Sequence, residues 1–197
     1  MRYLIDKTMK LNQLRDQAFT TAKAHGWHEE EHSDRHFLML IITELAEAVQ
    51  ADRNGKNRSF RSEFNVEKYF TGRSFTPEQY RERWKFCFEA MIKDYVPDEL
   101  ADACIRIFDL AGLRGIDLSV KTDNPCTIDS KKTFTENIYA IIRDIIIGSD
   151  TLEERLRHAI HNIFELSRSM AIDMEWHIGM KMNYNTLRTH KHGGKKY

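Results

Sequence analysis

Two pairs of carboxylates carry the first chemical signal in the chain. Glu44 and Glu47 stand in Ile-Ile-Thr-Glu-Leu-Ala-Glu-Ala, and Glu99 and Asp102 in Asp-Glu-Leu-Ala-Asp-Ala. Each pair is spaced i, i+3, which puts both of its acids on one face of a helix. Glu44 and Glu47 fall beside Leu40, Ala48 and Ala51, in a helix apolar around most of its circumference. Carboxylates buried side by side are costly unless a cation compensates them. Oxygen donors with no cysteine or histidine among them suit Mg2+, with Mn2+ as a substitute, rather than Zn2+. One such pair alone also reads as a solvated acidic flank, and Asp102 is one turn from a partner in Arg106. Two pairs with the same spacing, each beside a Leu-Ala step, tip the reading toward metal binding. A third element lies near the C-terminus, where Lys181, Asn185 and Arg188 follow an i, i+4, i+7 stripe and Asn183 falls on the opposite side. An ammonium, an amide and a guanidinium in a row can hold and orient a polyphosphate. The same stripe also suits a basic helix end facing the negative pole of its dipole.

Other chemistries are weaker. His28-Glu29-Glu30-Glu31-His32 has the letters of the HExxH zinc-peptidase signature, which needs both histidines one turn apart on a continuous helix. Gly26 before it and Ser33-Asp34 after it are helix-end signals pointing away from the segment, so a connection is expected there. Residues 53–75 mix Arg53, Lys56, Arg58, Arg61, Lys68 and Arg73 with Phe60, Phe64, Tyr69, Phe70 and Phe75, a mixture used by single-strand nucleic-acid binders. Glu63 and Glu67 dilute that charge, and aromatics packing on a bundle or a second subunit account for the pattern better. Cys87, Cys104 and Cys126 are odd in number and lack CxxC spacing, which argues against a disulfide framework and for a reduced cytoplasmic setting.

The elements that must position these groups read as helices. The 197 residues suit one domain with a real core, and 30 basic residues against 30 acidic ones argue against a surface built to trap polyanions. Nine glycines and three prolines leave few turns for a sandwich. The N-terminus meets charge before an apolar leader segment could form, and no stretch approaches the ~20 apolar residues of a membrane span. A first helix from about Thr8 is expected to stop at Gly26. Ser33 or Asp34 opens a second, Thr76-Pro77-Glu78 a third, and Pro97 a fourth that runs to Arg114-Gly115. Thr133-x-x-Glu136 has the form of a capping box, and the i, i+4, i+7, i+8 spacing of the isoleucines behind it predicts a helix despite their branching. Asp150-x-x-Glu153 is expected to cap the last and longest helix, continuing to about Leu187. The expectation is an all-α bundle of five or six helices, with 53–75 as a basic, aromatic connection and 189–197 as a mobile tail.

An internal repeat underlies the pattern. Sliding the chain by 56 positions lays Leu100–Leu110 and Gly115–Leu118 over Leu156–Leu166 and Ala171–Met174, with Leu, Ala, Ile-Phe, Leu and Ile-Asp coinciding. Two amphipathic helices can share a core pattern by chance, but the Ile-Asp step past a small residue is no core requirement. Where the first copy has Glu99 and Asp102, the second has Arg155 and His158. A four-helix core duplicated in tandem, whose second copy kept its packing face and lost its acids, fits these differences.

The ExxE helix, the ExxD helix within Glu-Leu-Ala-Asp-Ala and the C-terminal Lys-x-x-x-Asn-x-x-Arg leading to His-Gly-Gly-Lys-Lys together resemble the MazG-like all-α nucleoside triphosphate pyrophosphohydrolases, a superfamily that includes the dimeric dUTPases. The likeness covers residues 9–53, 96–118 and 165–197. It implies a helical bundle that binds Mg2+ and cleaves a nucleoside triphosphate between its α and β phosphates. It further implies that Glu44, Glu47, Glu99 and Asp102 are metal ligands or the water-activating base, and that Lys181, Asn185 and Arg188 contact the triphosphate. Trp27, and Trp84 or Phe86, become candidates for stacking on the nucleobase, against the competing role of core packing. Two departures stand out. Thr43 rather than an acid precedes Glu44, and the connection between the acidic helices is long, residues 53–97. The decayed second copy is similar to the dimeric dUTPases, implying one site per chain, and a homodimer is expected.

Overall fold

The computed structural model describes residues 2–66, 75–147 and 150–191, with side chains from residue 11 onward. It is helical throughout, with seven helices among the described residues. They are α1 (Arg2–Ala24), α2 (Asp34–Arg53), α3 (Pro77–Met91), α4 (Val96–Arg114), α5 (Phe134–Ile147), α6 (Leu152–Ser169) and α7 (Met174–Thr186). No helix among them is long and apolar enough to cross a membrane.

Local signals start and stop the helices. Thr76 accepts from the Gln79 N–H while the Gln79 side chain accepts from the Thr76 N–H, a complete capping box ahead of Pro77. Thr133 and Glu136 make the same reciprocal pair before α5. At the end of α4, Gly115 takes φ 65, the left-handed turn that glycine enters without a Cβ clash. The isoleucine-rich 138–145 segment is helix α5, with Ile138, Ile141 and Ile145 buried on one face.

Two expectations need correction. There are seven helices among the described residues, not five or six, and the segment expected to run unbroken to Leu187 is two helices. Ser167 and Ser169 turn their hydroxyls back onto the Ile163 and Leu166 carbonyls. Ala171 then takes a left-handed φ of 56, and the Asp173 carboxylate accepts from the Trp176 N–H to start α7. Asp173, matched above to Asp117 as a mark of repetition, is thus an N-cap. The longest helix is α1, 23 residues from Arg2.

Helices α2, α4, α6 and α5 pack around a square, each against the next, while α1 and α7 lie on α4. The core runs through that square, with Ile41, Leu45, Leu100, Ile107, Phe108, Ile141, Leu156 and Ile163 all without solvent exposure. Each such side chain contributes roughly 1.5–3 kcal/mol by leaving water. A second, smaller cluster joins α3 to α7, where the Phe88 ring stacks between Trp84 and Tyr184 at centroid distances of 5.4 and 4.5 Å. This stack fixes α7, and with it the 181–188 stripe, against the bundle.

The 53–75 connection is part of that cluster in its described portion. Phe64 packs edge-on against Trp84 and Trp176, and Phe60 against Tyr95. Arg58 pairs with Glu63, and Arg61 with Asp173. Lys68, Tyr69, Phe70 and Arg73 lie outside the described residues. Cys87 and Cys104 are buried free thiols, and Cys126 is exposed.

Candidate active site

Helices α2 and α4 run against each other along the core, and their contact brings the two acidic pairs together. One carboxylate oxygen each from Glu44, Glu99 and Asp102 lies within 4.8 Å of the other two. Glu44 and Glu99 are buried, whereas the Asp102 side chain keeps 21% of its exposure. Glu47, one turn past Glu44, is exposed at the rim of the same cavity and outside this trio.

Two cations are built into the cluster. Arg106 Nε donates to Glu44 Oε1 at 3.0 Å, so the arginine one turn beyond Asp102 serves the other helix. Lys181 of α7 is buried, and its Nζ sits 2.7 Å from both Asp98 Oδ2 and Asp102 Oδ2. Asp98 in turn accepts the N–H of Asp94, a residue at φ 65 in the turn leading into α4, and its second oxygen is buried without a partner. Four buried or half-buried carboxylates therefore face two cations.

The imbalance shows in the ionisation of the acids. Burial, then the charge of Asp102, pushes the Glu99 carboxyl up to about 8. Burial raises Asp98 to about 6 against the pull of Lys181, and burial followed by Asp102 raises Glu44. Lys181 is raised, because Asp102 and Asp98 outweigh its burial. Carboxylates that resist ionisation because they crowd one another are what a divalent cation relieves, and the donor set here is oxygen throughout.

The cluster opens into a cavity of about 410 Å3 between α1, α2, α4 and α7, lined by Glu44, Glu47, Glu99, Asp102, Lys181, Asn185, Arg188 and Trp27. Trp27 stands on the wall formed by Ala18, Thr21 and Ala22 of α1, whereas Trp84 belongs to the α3–α7 cluster and Phe86 is exposed away from the cavity. Asn185 lines it too, with its side-chain oxygen buried and without a partner. Arg188 lies over the Tyr184 ring at 5.7 Å, and its carbonyl is 3.0 Å from His25 Nε2. Lys181, expected to touch phosphate, is placed instead among the carboxylates, where it fixes Asp102.

Residues 25–33 form the expected connection, and His25 and Trp27 of it line the cavity. His28 Nε2 meets Asp109 at 2.7 Å with both side chains buried, while His32 stacks on His36 at 4.1 Å. The two histidines of the HExxH letters thus have separate partners and no shared helix. Of the 189–197 tail, His190 and Lys191 are tied to Glu29 at 3.1 and 3.0 Å, and the Lys191 N–H donates to the His25 carbonyl. Residues 192–197 lie outside the described residues.

The second half of the square repeats this architecture with a single acid, Asp144, in place of four. Helix α5 lies on α2 at an offset of 100, Ile141-Ile142-Arg143-Asp144-Ile145 over Ile41-Ile42-Thr43-Glu44-Leu45. A cavity of about 370 Å3 there is bordered by Arg143, Asp144, Ile147, Arg155 and His158. These stand where Thr43, Glu44, Glu47, Glu99 and Asp102 border the first. One Arg155 amino group donates to the Ile145 carbonyl at 3.1 Å, and His158 Nε2 is 2.9 Å from the Pro125 carbonyl.

No family model matches the sequence, and neither curated proteins nor solved structures gave a match. The site therefore stands on its own geometry. Sequence reasoning passed over Asp98, Asp109, Arg106 as the partner of Glu44, and Asp144. Of these, Asp144 alone left a signal, since the Ile-Ile-x-acid run of α5 copies that of α2.

Proposed function

We propose that the chain is a Mg2+-dependent nucleoside triphosphate pyrophosphohydrolase, with Mn2+ as a substitute ion, splitting its substrate between the α and β phosphates into a nucleoside monophosphate and pyrophosphate. The observation that carries the reading is the convergence of the Glu44, Glu99 and Asp102 oxygens within 4.8 Å, in a cavity whose other wall holds Asn185 and Arg188. Glu44, Glu99 and Asp102 would hold the ion, with Glu47 at the rim to complete its surroundings. When bound, the dication offsets phosphate charge and acidifies a water.

The chain's own groups do the rest. Lys181, locked between Asp98 and Asp102, keeps Asp102 in place without competing for substrate. Arg106 does the same for Glu44. The Arg188 guanidinium and the unpartnered Asn185 oxygen orient the triphosphate and a group that donates to it, such as a sugar hydroxyl. Trp27 and the small residues Ala18 and Ala22 leave an apolar slot for the base. One carboxylate takes a proton from the attacking water as the α–β anhydride opens and pyrophosphate leaves with its bond intact. No GxxxxGK[ST] segment supplies the phosphate cradle used for β–γ cleavage.

A panel of ribo- and deoxyribonucleoside triphosphates with Mg2+ tests this under single-turnover conditions. Monophosphate and pyrophosphate in equal amounts are expected, with loss of turnover in EDTA. Diphosphate and orthophosphate as first products would overturn the reading.

A further inference from the structure

A cavity of about 390 Å3 opens between α1, the loop 118–124 that follows α4, and α6, and it shares no lining residue with the candidate active site. Leu11 and Leu14 of α1, Leu118 and Val120 of the loop, and Ile160 and Phe164 of α6 give it an apolar lining. Leu118 and Ile160 are buried, whereas Val120 is 50% exposed. The loop is tied to both helices that flank it. Asn12 of α1 donates to Asp117 Oδ1 at 2.7 Å and accepts the Leu118 N–H at 2.9 Å, and Arg15 donates to the Ile116 carbonyl at 2.7 Å. From α6, Arg157 donates to the Asp117 carbonyl at 2.9 Å, and Glu154 accepts the Asp123 N–H at 3.0 Å. The chain itself therefore holds the cavity in shape, and a ligand entering it needs no reordering of the loop.

We propose that this cavity binds a small amphiphilic anion, a single alkyl chain of about ten carbons ending in a carboxylate. Three basic side chains border it, Lys121, Arg157 and Arg168, against two acidic ones, Glu165 and Glu175. Arg168 is paired with Glu165, and Arg157 is taken by the Asp117 carbonyl. Lys121 and the half-buried His161 ring have no hydrogen-bond or ion-pair partner among the described residues. An ammonium and an imidazole N–H at the edge of an apolar hollow supply donors for an anionic head, while the hollow takes the tail out of water. Five of the six apolar side chains are aliphatic, which suits an alkyl tail. Size sets the length. At ~30 Å3 for each heavy atom the cavity holds roughly a dozen, enough for decanoate and too few for a two-chain lipid.

Isothermal titration with decanoate, without nucleotide or metal, is the test, so its outcome is independent of whether the other cavity hydrolyses anything. The wild-type chain is expected to saturate at one decanoate. Each methylene removed should weaken binding about fourfold, so hexanoate should bind more than about a hundredfold less tightly. Decylammonium, the same tail with the opposite charge, should be weaker than decanoate by about tenfold or more. Val120→Asp, which sets a charge in the apolar lining, and Lys121→Glu, which reverses the head-group donor, should each weaken decanoate by about tenfold or more. Both residues are exposed loop positions, and helical circular dichroism confirms that the variants fold. Ile146→Asp, on an exposed apolar position of α5 away from the cavity, should leave binding unchanged. A wild type that takes no decanoate, takes several without saturating, or binds decylammonium as tightly would overturn the proposal. So would binding indifferent to Val120→Asp or to Lys121→Glu, or binding lost with Ile146→Asp.

Discussion

Glu99→Gln should make the metal-free protein more stable while removing its activity. Glu99 is 6% exposed, and its oxygens lie within 4.8 Å of those of Glu44 and Asp102. At an effective dielectric of about 20, two unit charges at that distance repel by about 3 kcal/mol. The raised carboxyl gives a similar size, since keeping protonated at pH 7 a group that ordinarily titrates at 4.5 costs about 3 kcal/mol. The direction follows from proton uptake. The folded chain binds the Glu99 proton more tightly than the unfolded chain, so this stability is full below about 4.5 and drains away as pH rises through about 8. In EDTA, the wild-type protein should therefore weaken between pH 5 and 8, and Glu99→Gln should flatten that slope and gain about 4 kcal/mol at pH 8. Adding Mg2+ should restore the wild type and leave the variant unmoved. The exposed Glu47→Gln, as control, should change stability by less than about 0.5 kcal/mol. Urea unfolding at several pH values, with and without Mg2+, reads all of this. A Glu99→Gln protein less stable than wild type in EDTA at pH 8 would refute the crowded-carboxylate argument and make Glu99 a structural partner instead.

Three further outcomes follow from buried groups. Burial, aided by Arg61, lowers His177 from 6.5 to about 4, so its stability is present above 6.5 and is lost as pH falls toward 4, by about 3 kcal/mol. His177→Gln should shift acid unfolding to lower pH, as followed by circular dichroism. Asp98→Ala should destabilise by about 3 kcal/mol or more in thermal unfolding, because it takes one of two carboxylates from a lysine that is 4% exposed. Calorimetry with a non-hydrolysable nucleotide and Mg2+ should give one site per chain, since Arg155 and His158 bring no carboxylate oxygen to the second cavity. A stoichiometry of two would contradict the decay of that copy.

The fold was readable because helix signals are local. Thr76-Pro77, Thr133-x-x-Glu136 and Gly115 each act within one turn, and each ends or begins a helix where its chemistry places it. The break at Met170–Asp173 escapes the sequence for the same reason, since the capping of Trp176 by Asp173 depends on a turn that no proline or glycine announces. The candidate site was readable in its residues and not in its pairings. Arg106 is one turn from Asp102 along the chain, so the sequence offers that pair. The packing of α2 on α4 brings Glu44 nearer instead. Lys181 likewise belongs to a stripe with Asn185 and Arg188, yet α7 is held so close by the Phe88 stack that its ammonium reaches past the cavity into the acids.

The two halves of the bundle differ in what closes their cavities. The first cavity is not closed by its own helix pair alone, because α1 supplies the Ala18–Ala22 wall and α7 supplies Asn185 and Arg188. The second is bordered by its own pair and by Asn124, Pro125 and Thr127 of the preceding loop, with no further helix lining it among the described residues. Without a wall to hold phosphate, carboxylates there would keep the burden of mutual repulsion and gain no ligand. Arg155 and His158 carry no such repulsion and bond to the Ile145 and Pro125 carbonyls instead, so this half keeps the packing that completes the square.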